Sequence, residues 1–259
     1  MSTFKTIANR DRTLAVEISG SGEAVIMLHG LGGTMHIWHP QAQELSKRFT
    51  VIRVDLAGSG RSSTPAHLSI GGWVDDLAAI MRFEGIARTS IVAHSLGTLI
   101  AQHFAAEHPD CISRLALFAV NKAPPDERRQ ALRDRAAKVR QDGLRSIVDG
   151  VVSAGTAPSA RANNPLLEPF IRELVLRQSA EGYALSCEAI ANSVAADLSR
   201  IRCPTLLVAG VEDAISPPKL AESVAPALAN AKLATIEKCG HWLPVERPRD
   251  VMQRLGEFL

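Results

Sequence analysis

Short apolar runs alternate with helix-forming stretches along most of this 259-residue chain. Six such runs, bounded by glycine, proline or charged residues, are typical of buried strands: 24–28, 51–54, 90–93, 115–118, 205–209 and 233–236. Apolar residues at helical spacing mark the stretches 70–83, 96–108, 218–227 and 249–259. Strands that are apolar on both faces and alternate with helices predict the α/β class, with a mostly parallel central sheet flanked by helices.

The alternation stops after Val120 and resumes at Thr205. Residues 122–200 contain no run with strand character, but they contain helical stretches at 127–140, 143–152, 166–178 and 183–192. We therefore predict a core domain of residues 1–121 and 201–259, with a helical cap of residues 122–200 inserted into it. Residues 4–8 and 13–18, on either side of a polar turn, predict an antiparallel hairpin at the edge of the sheet.

The composition narrows the partners and the compartment that we expect. The chain has 29 basic and 27 acidic residues, a net charge of +2, so neither nucleic acid nor a membrane surface is an expected partner. No apolar run approaches the roughly 20 residues that span a bilayer, and the N-terminus has no apolar signal core. The four cysteines lack C-x-x-C spacing and are expected to be reduced thiols. We expect a cytoplasmic monomer or homodimer.

The run 90–93 leads directly into His94-Ser95-Leu96-Gly97 and then into an apolar helix. A strand, a sharp turn and a helix form the setting of a nucleophile elbow, in which the residues two before and two after the serine must be small. Ala93 and Gly97 meet that condition, although alanine replaces the usual first glycine. A serine that only caps the helix is the structural alternative. We predict that Ser95 is a nucleophile.

A serine hydroxyl needs a base, and elbows of this kind supply it in the chain order serine, acid, histidine. His241 alone satisfies this order, because the other histidines after Ser95 lie on the helix that the elbow begins. Asp213 follows the predicted strand 205–209 and is our candidate for the acid that orients the base. Its neighbour Glu212 is the alternative.

A tetrahedral intermediate requires two backbone N–H donors for its oxyanion. Leu96, directly after the nucleophile, is the first candidate. Leu31 is the second, in the glycine-rich loop 29–33 that follows the predicted strand 24–28. A phosphate-binding loop is the rival interpretation, but G-x-G-x-x-G spacing and a P-loop lysine are both missing. The histidines have no matched partners at metal-ligand spacing, so we predict no metal.

Substrate contacts are predicted from position and charge. Trp38 and Trp242 each flank a predicted catalytic loop, and aromatic packing alone is the alternative explanation. The stretch 122–145 holds eight basic and four acidic residues. Cap arginines could hold a substrate carboxylate in a bidentate pair, and a solvated helix face is the alternative. The candidates are Arg128, Arg129, Arg133 and Arg135.

Almost the whole chain resembles the α/β-hydrolase superfamily, through HGLGG at 29–33, DLAGSGRSS at 55–63, AHSLG at 93–97, GVED at 210–213 and GHW at 240–242. The cap segments RAAKVRQDGLRSIVDGVV at 135–152 and EGYALSCEAI at 181–190 resemble 3-oxoadipate enol-lactonases. This resemblance implies the α/β-hydrolase fold, no cofactor, and hydrolysis of a small-molecule enol-lactone in aromatic catabolism. A carboxylesterase, a C–C bond hydrolase, an amidase and a non-catalytic ligand-binding protein of the same fold remain alternatives.

Overall fold

The computed structural model describes residues 2–259 and contains one eight-stranded sheet in the order β1-β2-β4-β3-β5-β6-β7-β8. The strands are β1 (Ser2–Asn9), β2 (Arg12–Ser19), β3 (Ala24–Leu28), β4 (Thr50–Val54), β5 (Thr89–His94), β6 (Ile112–Phe118), β7 (Thr205–Gly210) and β8 (Ala231–Ile236). The strands from β3 onward pair in parallel, whereas β1 pairs with β2, and β2 with β4, in antiparallel register. The mostly parallel sheet and its N-terminal edge hairpin are therefore confirmed.

Helices cover the sheet. They are α1 (His39–Leu45), α2 (Ile70–Phe83), α3 (Leu96–Glu107), α4 (Asp126–Asp142), α5 (Val148–Gly155), α6 (Pro158–Asn163), α7 (Leu167–Leu176), α8 (Ala180–Ala191), α9 (Pro218–Val224), α10 (Leu243–Glu246) and α11 (Pro248–Phe258). Strands β5 and β7 are buried along their whole length, which explains the apolar runs at 91–93 and 206–209 within them. The short helices α1, α6 and α10 were not predicted, because few apolar residues in them repeat at helical spacing.

Five helices, α4 to α8, separate β6 from β7, and no strand occurs between residues 119 and 204. Helix α4 buries only Leu132, Ala136 and Val139, a narrow stripe at helical spacing, and it packs against α8. The predicted helix 143–152 is divided into a 3-10 turn at Leu144–Ser146 and α5. We infer that residues 122–200 form the inserted cap.

The topology brings several loops together at one edge of the sheet. Because β3, β5, β6, β7 and β8 run in parallel, their carboxyl ends all meet there. In open α/β sheets, ligands bind in the crevice outside the carboxyl ends of the strands. The loops that carry the predicted functional residues 29–33, 95, 213 and 241 leave the sheet at this edge.

Candidate active site

Ser95 occupies the sharp turn between β5 and α3. Its backbone φ of 50° and ψ of −115° are rare for a residue with a side chain, and its N–H donates to the carbonyl of Phe118 at 3.0 Å. Backbone strain of this kind persists only where the surrounding structure enforces it. The turn therefore has the sharp strand-to-helix geometry that a nucleophile elbow requires.

Gly97 explains why the elbow requires a small residue after the serine. A β-carbon at this position would lie 2.8 Å from the carbonyl oxygen of His29 and 2.9 Å from the β-carbon of Leu28. Ala93, two residues before the serine, is fully buried in β5. Close approach of helix α3 to β3 thus leaves no room for a larger side chain.

Three predicted residues form one hydrogen-bonded chain. Nε2 of His241 lies 2.9 Å from Oγ of Ser95, and Nδ1 of His241 lies 2.9 Å from Oδ2 of Asp213. All three side chains are buried. Glu212, the alternative acid, is exposed, and its carboxylate accepts from Oγ of Ser159 at 3.4 Å.

The surroundings of Asp213 keep its carboxylate charged. Its Oδ1 accepts hydrogen bonds from the backbone N–H groups of Ile215 and Ser216, both at 2.8 Å. Burial opposes the charge, but attraction to His241 and the hydrogen bonds outweigh burial and hold the pKa of Asp213 below its usual value. An ionised Asp213 accepts a hydrogen bond from the N–H at Nδ1 of His241. Because this tautomer has no proton on Nε2, that nitrogen can accept the Ser95 hydroxyl proton.

The glycine-rich loop 29–33 lies directly beside Ser95. A β-carbon on Gly30 would come within 2.8 Å of the Ser95 β-carbon, and Leu31 lines the cavity above the serine. Leu96 is the first residue of α3, where backbone N–H groups have no acceptor within the helix. Both predicted oxyanion residues are therefore placed next to the serine.

His29 holds this loop in place. Its Nδ1–H donates to the carbonyl of Gly30 at 2.8 Å, and its Nε2 accepts from the N–H of Leu56 at 3.0 Å. Complete burial lowers the pKa of His29, so the ring stays neutral and keeps this pair of hydrogen bonds.

Asn121 is a site residue that the sequence pattern did not predict. Its Nδ2 donates to Oγ of Ser95 at 3.3 Å. Its own backbone is fixed by α3, since its N–H donates to Oγ1 of Thr98 and its carbonyl accepts from Nε2 of Gln102, both at 2.8 Å. One feature of the sequence could have indicated Asn121: it is a polar residue shortly after the apolar strand β6, and β6 neighbours β5 in the sheet.

A cavity of about 300 Å³ lies above Ser95, between the core loops and the cap. Its lining includes Leu31, Ser95, Asn121, Arg128, Leu132, Arg135, Val151, Tyr183, Ile215, His241 and Trp242. Helices α4, α5 and α8 therefore supply one wall of the cavity, and the predicted catalytic residues supply the other.

Of the predicted aromatic contacts, Trp242 lines this cavity and Trp38 does not. The Trp38 side chain turns into the core, where Nε1 donates to the carbonyl of Leu28 at 3.0 Å and the ring packs edge-on against Phe118. A buried indole N–H requires an acceptor, and the end of β3 supplies one. The prediction that Trp38 contacts the substrate is thus corrected.

The four cap arginines fall into two pairs. Arg128 and Arg135 line the cavity, whereas the other two point elsewhere. Arg129 donates to the carbonyls of Ala191 and Ser193, and Arg133 donates to Oδ1 of Asn192 at 3.1 Å in an exposed position. The predicted roles of Arg129 and Arg133 are therefore corrected, because these two side chains fasten α4 to the end of α8.

Arg128 and Arg135 bring positive charge to the cavity that Ser95 also lines. Burial, together with repulsion from Arg135, lowers the pKa of Arg128, whose Nη1 donates to the carbonyl of Ile215 at 2.9 Å. Elsewhere on α4, Arg129 and Arg140 form ion pairs with carboxylates. Within residues 2–259, neither Arg128 nor Arg135 forms one, so both are available to an anionic ligand.

Neither a metal-binding cluster nor a membrane-spanning helix occurs in residues 2–259. No group of three or more His, Cys, Asp or Glu side chains in this range could hold a metal ion. No helix in the same range combines the length and the apolar character that crossing a membrane requires. The four cysteines are free thiols.

The chain is similar to known proteins over most of its length. The model of the alpha/beta hydrolase family matches residues 25–254. Pimeloyl-(acyl-carrier protein) methyl ester esterase of Chromobacterium violaceum is 32% identical over 95% of this chain and 98% of its own length. The chain belongs to the alpha/beta hydrolase family.

Two solved structures share the whole architecture. A thermophilic esterase from Thermogutta terrifontis, solved with malate bound, has a TM-score of 0.94 and 28% identity, over 98% of this chain and 97% of that one. The enol-lactonase from Burkholderia xenovorans LB400 has a TM-score of 0.92 and 27% identity, over 98% of this chain and 99% of that one. The resemblance to enol-lactonases thus extends over the full fold.

Proposed function

We propose that this protein is a serine hydrolase that cleaves a small carboxylic ester or lactone through an acyl-enzyme. The observation that carries the proposal is the hydrogen-bonded chain from Ser95 through His241 to Asp213, at the base of a cavity. A buried serine, a neutral base and an ionised acid in this order are the requirements of nucleophilic acyl transfer.

In the first half of the reaction, Oγ of Ser95 attacks the substrate carbonyl while Nε2 of His241 removes the hydroxyl proton. Asp213 stabilises the imidazolium that forms. The N–H groups of Leu31 and Leu96 stabilise the oxyanion, each by about 3 kcal/mol. When the tetrahedral intermediate collapses, the carbon–oxygen bond breaks and Nε2 returns the proton to the leaving alkoxide.

In the second half, Nε2 of His241 removes a proton from water, which attacks the acyl-enzyme. The ester bond to Ser95 breaks, the carboxylic acid is released, and the proton returns to Oγ. Asn121 donates to Oγ and holds it in the position from which both steps proceed.

The substrate that we favour carries a carboxylate. Arg128 and Arg135 line the same cavity as Ser95 and form no ion pair within residues 2–259, and arginine pairs well with a carboxylate. Two of the similar proteins are named an esterase and an enol-lactonase, which fits the same chemistry. A carboxylated enol-lactone of the 3-oxoadipate type is therefore our leading candidate, and the segment 122–200 acts as the cap that selects it.

A fluorophosphonate probe and a substrate panel test this proposal together. The probe should label the wild-type protein and should not label Ser95→Ala. The panel contains a carboxylated enol-lactone, a p-nitrophenyl ester, an anilide and a ring-cleavage diketone. We expect turnover of the lactone or the ester, with kcat reduced by a factor of about 10⁴ or more in Ser95→Ala.

Failure of the wild-type protein to react with the probe would favour a ligand-binding protein without catalytic activity. Preferential cleavage of the anilide or the diketone would replace the esterase proposal with an amidase or a C–C bond hydrolase, both compatible with the same three residues. Ser95→Ala with more than about a tenth of the wild-type kcat would exclude Ser95 as the nucleophile.

A further inference from the structure

Glu246 is a buried carboxylate that takes no direct part in the proposed acyl transfer. It ends α10, five residues after His241, and it is 8% exposed. Its Oε1 accepts the backbone N–H of Trp242 at 2.8 Å, and its Oε2 accepts the N–H of Gly240 at 2.9 Å. The carboxylate thus binds the two residues that flank His241 in the chain.

The same carboxylate also binds the cap. Oε2 of Glu246 accepts a third backbone N–H, that of Ala157, at 3.0 Å. Ala157 lies between α5 and α6, in a short segment, 155–157, that Arg161 braces by donating to the carbonyl of Thr156 at 2.9 Å. Glu246 is therefore the common acceptor of the His241 loop and of segment 155–157.

The backbone of His241 is held from two sides. Its N–H donates to the carbonyl of Gly155 in the cap at 2.8 Å. Its carbonyl accepts from Nε2 of His94 in the elbow at 2.7 Å. Between these anchors, a β-carbon on Gly240 would fall 2.7 Å from the Ala157 nitrogen, so the His241 loop and segment 155–157 are in direct backbone contact.

We infer that Glu246 is a positioning residue for the general base, His241. Through Glu246 and the Gly155 carbonyl, the cap segment 155–157 helps to set the distance between Nε2 of His241 and Oγ of Ser95. This inference rests on the proposed hydrolase activity. The His241 imidazole must make its hydrogen bonds to Ser95 and to Asp213 at the same time. A displacement of about 1 Å at a catalytic group can cost about 100-fold in rate.

A carboxylate is required at this position because three donors converge on two oxygens. An amide can accept at only one end, so glutamine would place its NH₂ group against at least one backbone N–H. A buried donor that loses its acceptor is strongly disfavoured, and the loop must shift to relieve it. Burial raises the pKa of Glu246, although the three backbone N–H donors and attraction to His241 oppose this rise. Removing the ionised carboxylate therefore also removes a negative charge close to His241.

The other ionisable groups around His241 do not compensate for the loss of the Glu246 charge. Asp213 is hydrogen-bonded to Nδ1 and does not contact Glu246, so replacing Glu246 leaves this carboxylate in place. His94 packs against His241 with ring centroids 5.0 Å apart, and burial lowers its pKa to about 3, so it carries no charge at neutral pH. Segment 155–157 contributes only backbone groups and the uncharged side chains of Thr156 and Ala157.

The test compares Glu246→Gln and Glu246→Asp with Asp250→Asn. Asp250 is a matched control, because it is a partly exposed carboxylate four residues away that pairs with Arg247. For each protein we would measure kcat and KM with p-nitrophenyl acetate between pH 5 and 9, the rate of inactivation by a fluorophosphonate, and Tm.

We expect Glu246→Gln to lower kcat and the inactivation rate together, by about 10- to 100-fold, with KM changed less than about threefold. The acidic limb of its kcat profile should move to lower pH, because the imidazolium loses a nearby negative charge. Glu246→Asp keeps the charge but withdraws it, so kcat should fall while the acidic limb stays in place. Asp250→Asn should match the wild-type protein.

A lower Tm with wild-type kcat, inactivation rate and acidic limb in Glu246→Gln would overturn the inference, since the carboxylate would then only stabilise the fold. If Glu246→Gln does not fold, Glu246→Asp decides, and a wild-type kcat in that variant overturns the inference equally. A wild-type protein that does not react with the fluorophosphonate contradicts the proposed function instead, so the two failures are distinguishable.

Discussion

Gly155 lies so close to Trp242 that a β-carbon at position 155 would come within 2.7 Å of the indole Nε1 and 3.0 Å of Cδ1. Gly155 ends α5 in the cap, and Trp242 follows the candidate base in the core. The indole therefore occupies the space of a missing side chain. Because Trp242 also lines the cavity, the shape of the site depends on this contact between cap and core.

Alanine at position 155 should displace the indole. We expect Gly155→Ala to lose about 1 to 3 kcal/mol of unfolding free energy and to raise KM, since overpacking shifts neighbouring side chains. Urea denaturation and steady-state kinetics measure the two effects. Gly150→Ala, in the same helix, is the control for stability, because a β-carbon there meets nothing within 4 Å. This alanine should stabilise α5 by about 0.5 to 1 kcal/mol. Equal stability of the two variants would refute the packing argument.

The acid is identified by comparing Asp213→Asn with Glu212→Gln. Asparagine at 213 should favour the wrong tautomer of His241 and reduce kcat by about 10³- to 10⁴-fold. The Glu212 carboxylate is hydrogen-bonded to Ser159 and not to His241, so its loss should leave kcat unchanged. Kinetics with p-nitrophenyl acetate provide the measurement. The reverse result would assign the role to Glu212.

His94 makes the protein less stable in acid. Burial lowers its pKa from 6.5 to about 3, so below pH 6.5 the unfolded chain binds a proton that the folded protein does not. The free energy of unfolding must then fall as the pH drops from about 6.5 toward 3, by up to about 1.4 kcal/mol per pH unit. At pH 5 this amounts to about 2 kcal/mol.

His94→Gln removes that titration while its amide can still donate to the His241 carbonyl. We expect urea denaturation at pH 7 and pH 5 to show a smaller difference in unfolding free energy for His94→Gln than for the wild-type protein, by about 2 kcal/mol. His29, also buried and neutral, is present in both proteins and cancels in the comparison. An identical pH dependence in the two proteins would show that folding does not lower the pKa of His94.

The sequence was sufficient to predict those site residues whose position follows from local rules. Ser95, Asp213 and His241 each come after a parallel strand, and parallel strands end at one edge of a sheet, so their chain order and context predict that they meet. The same logic, applied to β6, would have drawn attention to Asn121.

Other site residues depend on packing between distant segments. Trp38 follows the glycine-rich loop in sequence, but its N–H finds an acceptor on Leu28 and the side chain enters the core. Glu246 receives donors from residues 157, 240 and 242, and no spacing in the sequence brings these together. Such contacts appear only once the cap is placed over the sheet.

For the arginines of α4, one part of the arrangement follows from local sequence rules and the other part depends on packing between distant segments. Arg128 and Arg135 are seven residues apart, two helical turns, and so share one face, whereas Arg129 and Arg133 share another. The sequence could sort them into these pairs, but it could not say which face meets the cavity, because that depends on where α8 packs.

Because Arg128 and Arg135 line the cavity and Arg133 does not, we expect their substitutions to differ in their effect on the binding of a carboxylated substrate. Arg135→Gln and Arg128→Gln should each raise KM for p-nitrophenyl hemisuccinate by about 10-fold or more, because a hydrogen bond to a charged group contributes about 1.5 to 3 kcal/mol. KM for p-nitrophenyl butyrate, similar in size but uncharged, should change little. Arg133→Gln is the matched control on the same helix, since its guanidinium bonds Asn192 outside the cavity. If all three variants have the same small effect on both esters, the charges of α4 serve only to solvate the cap and the substrate carries no carboxylate.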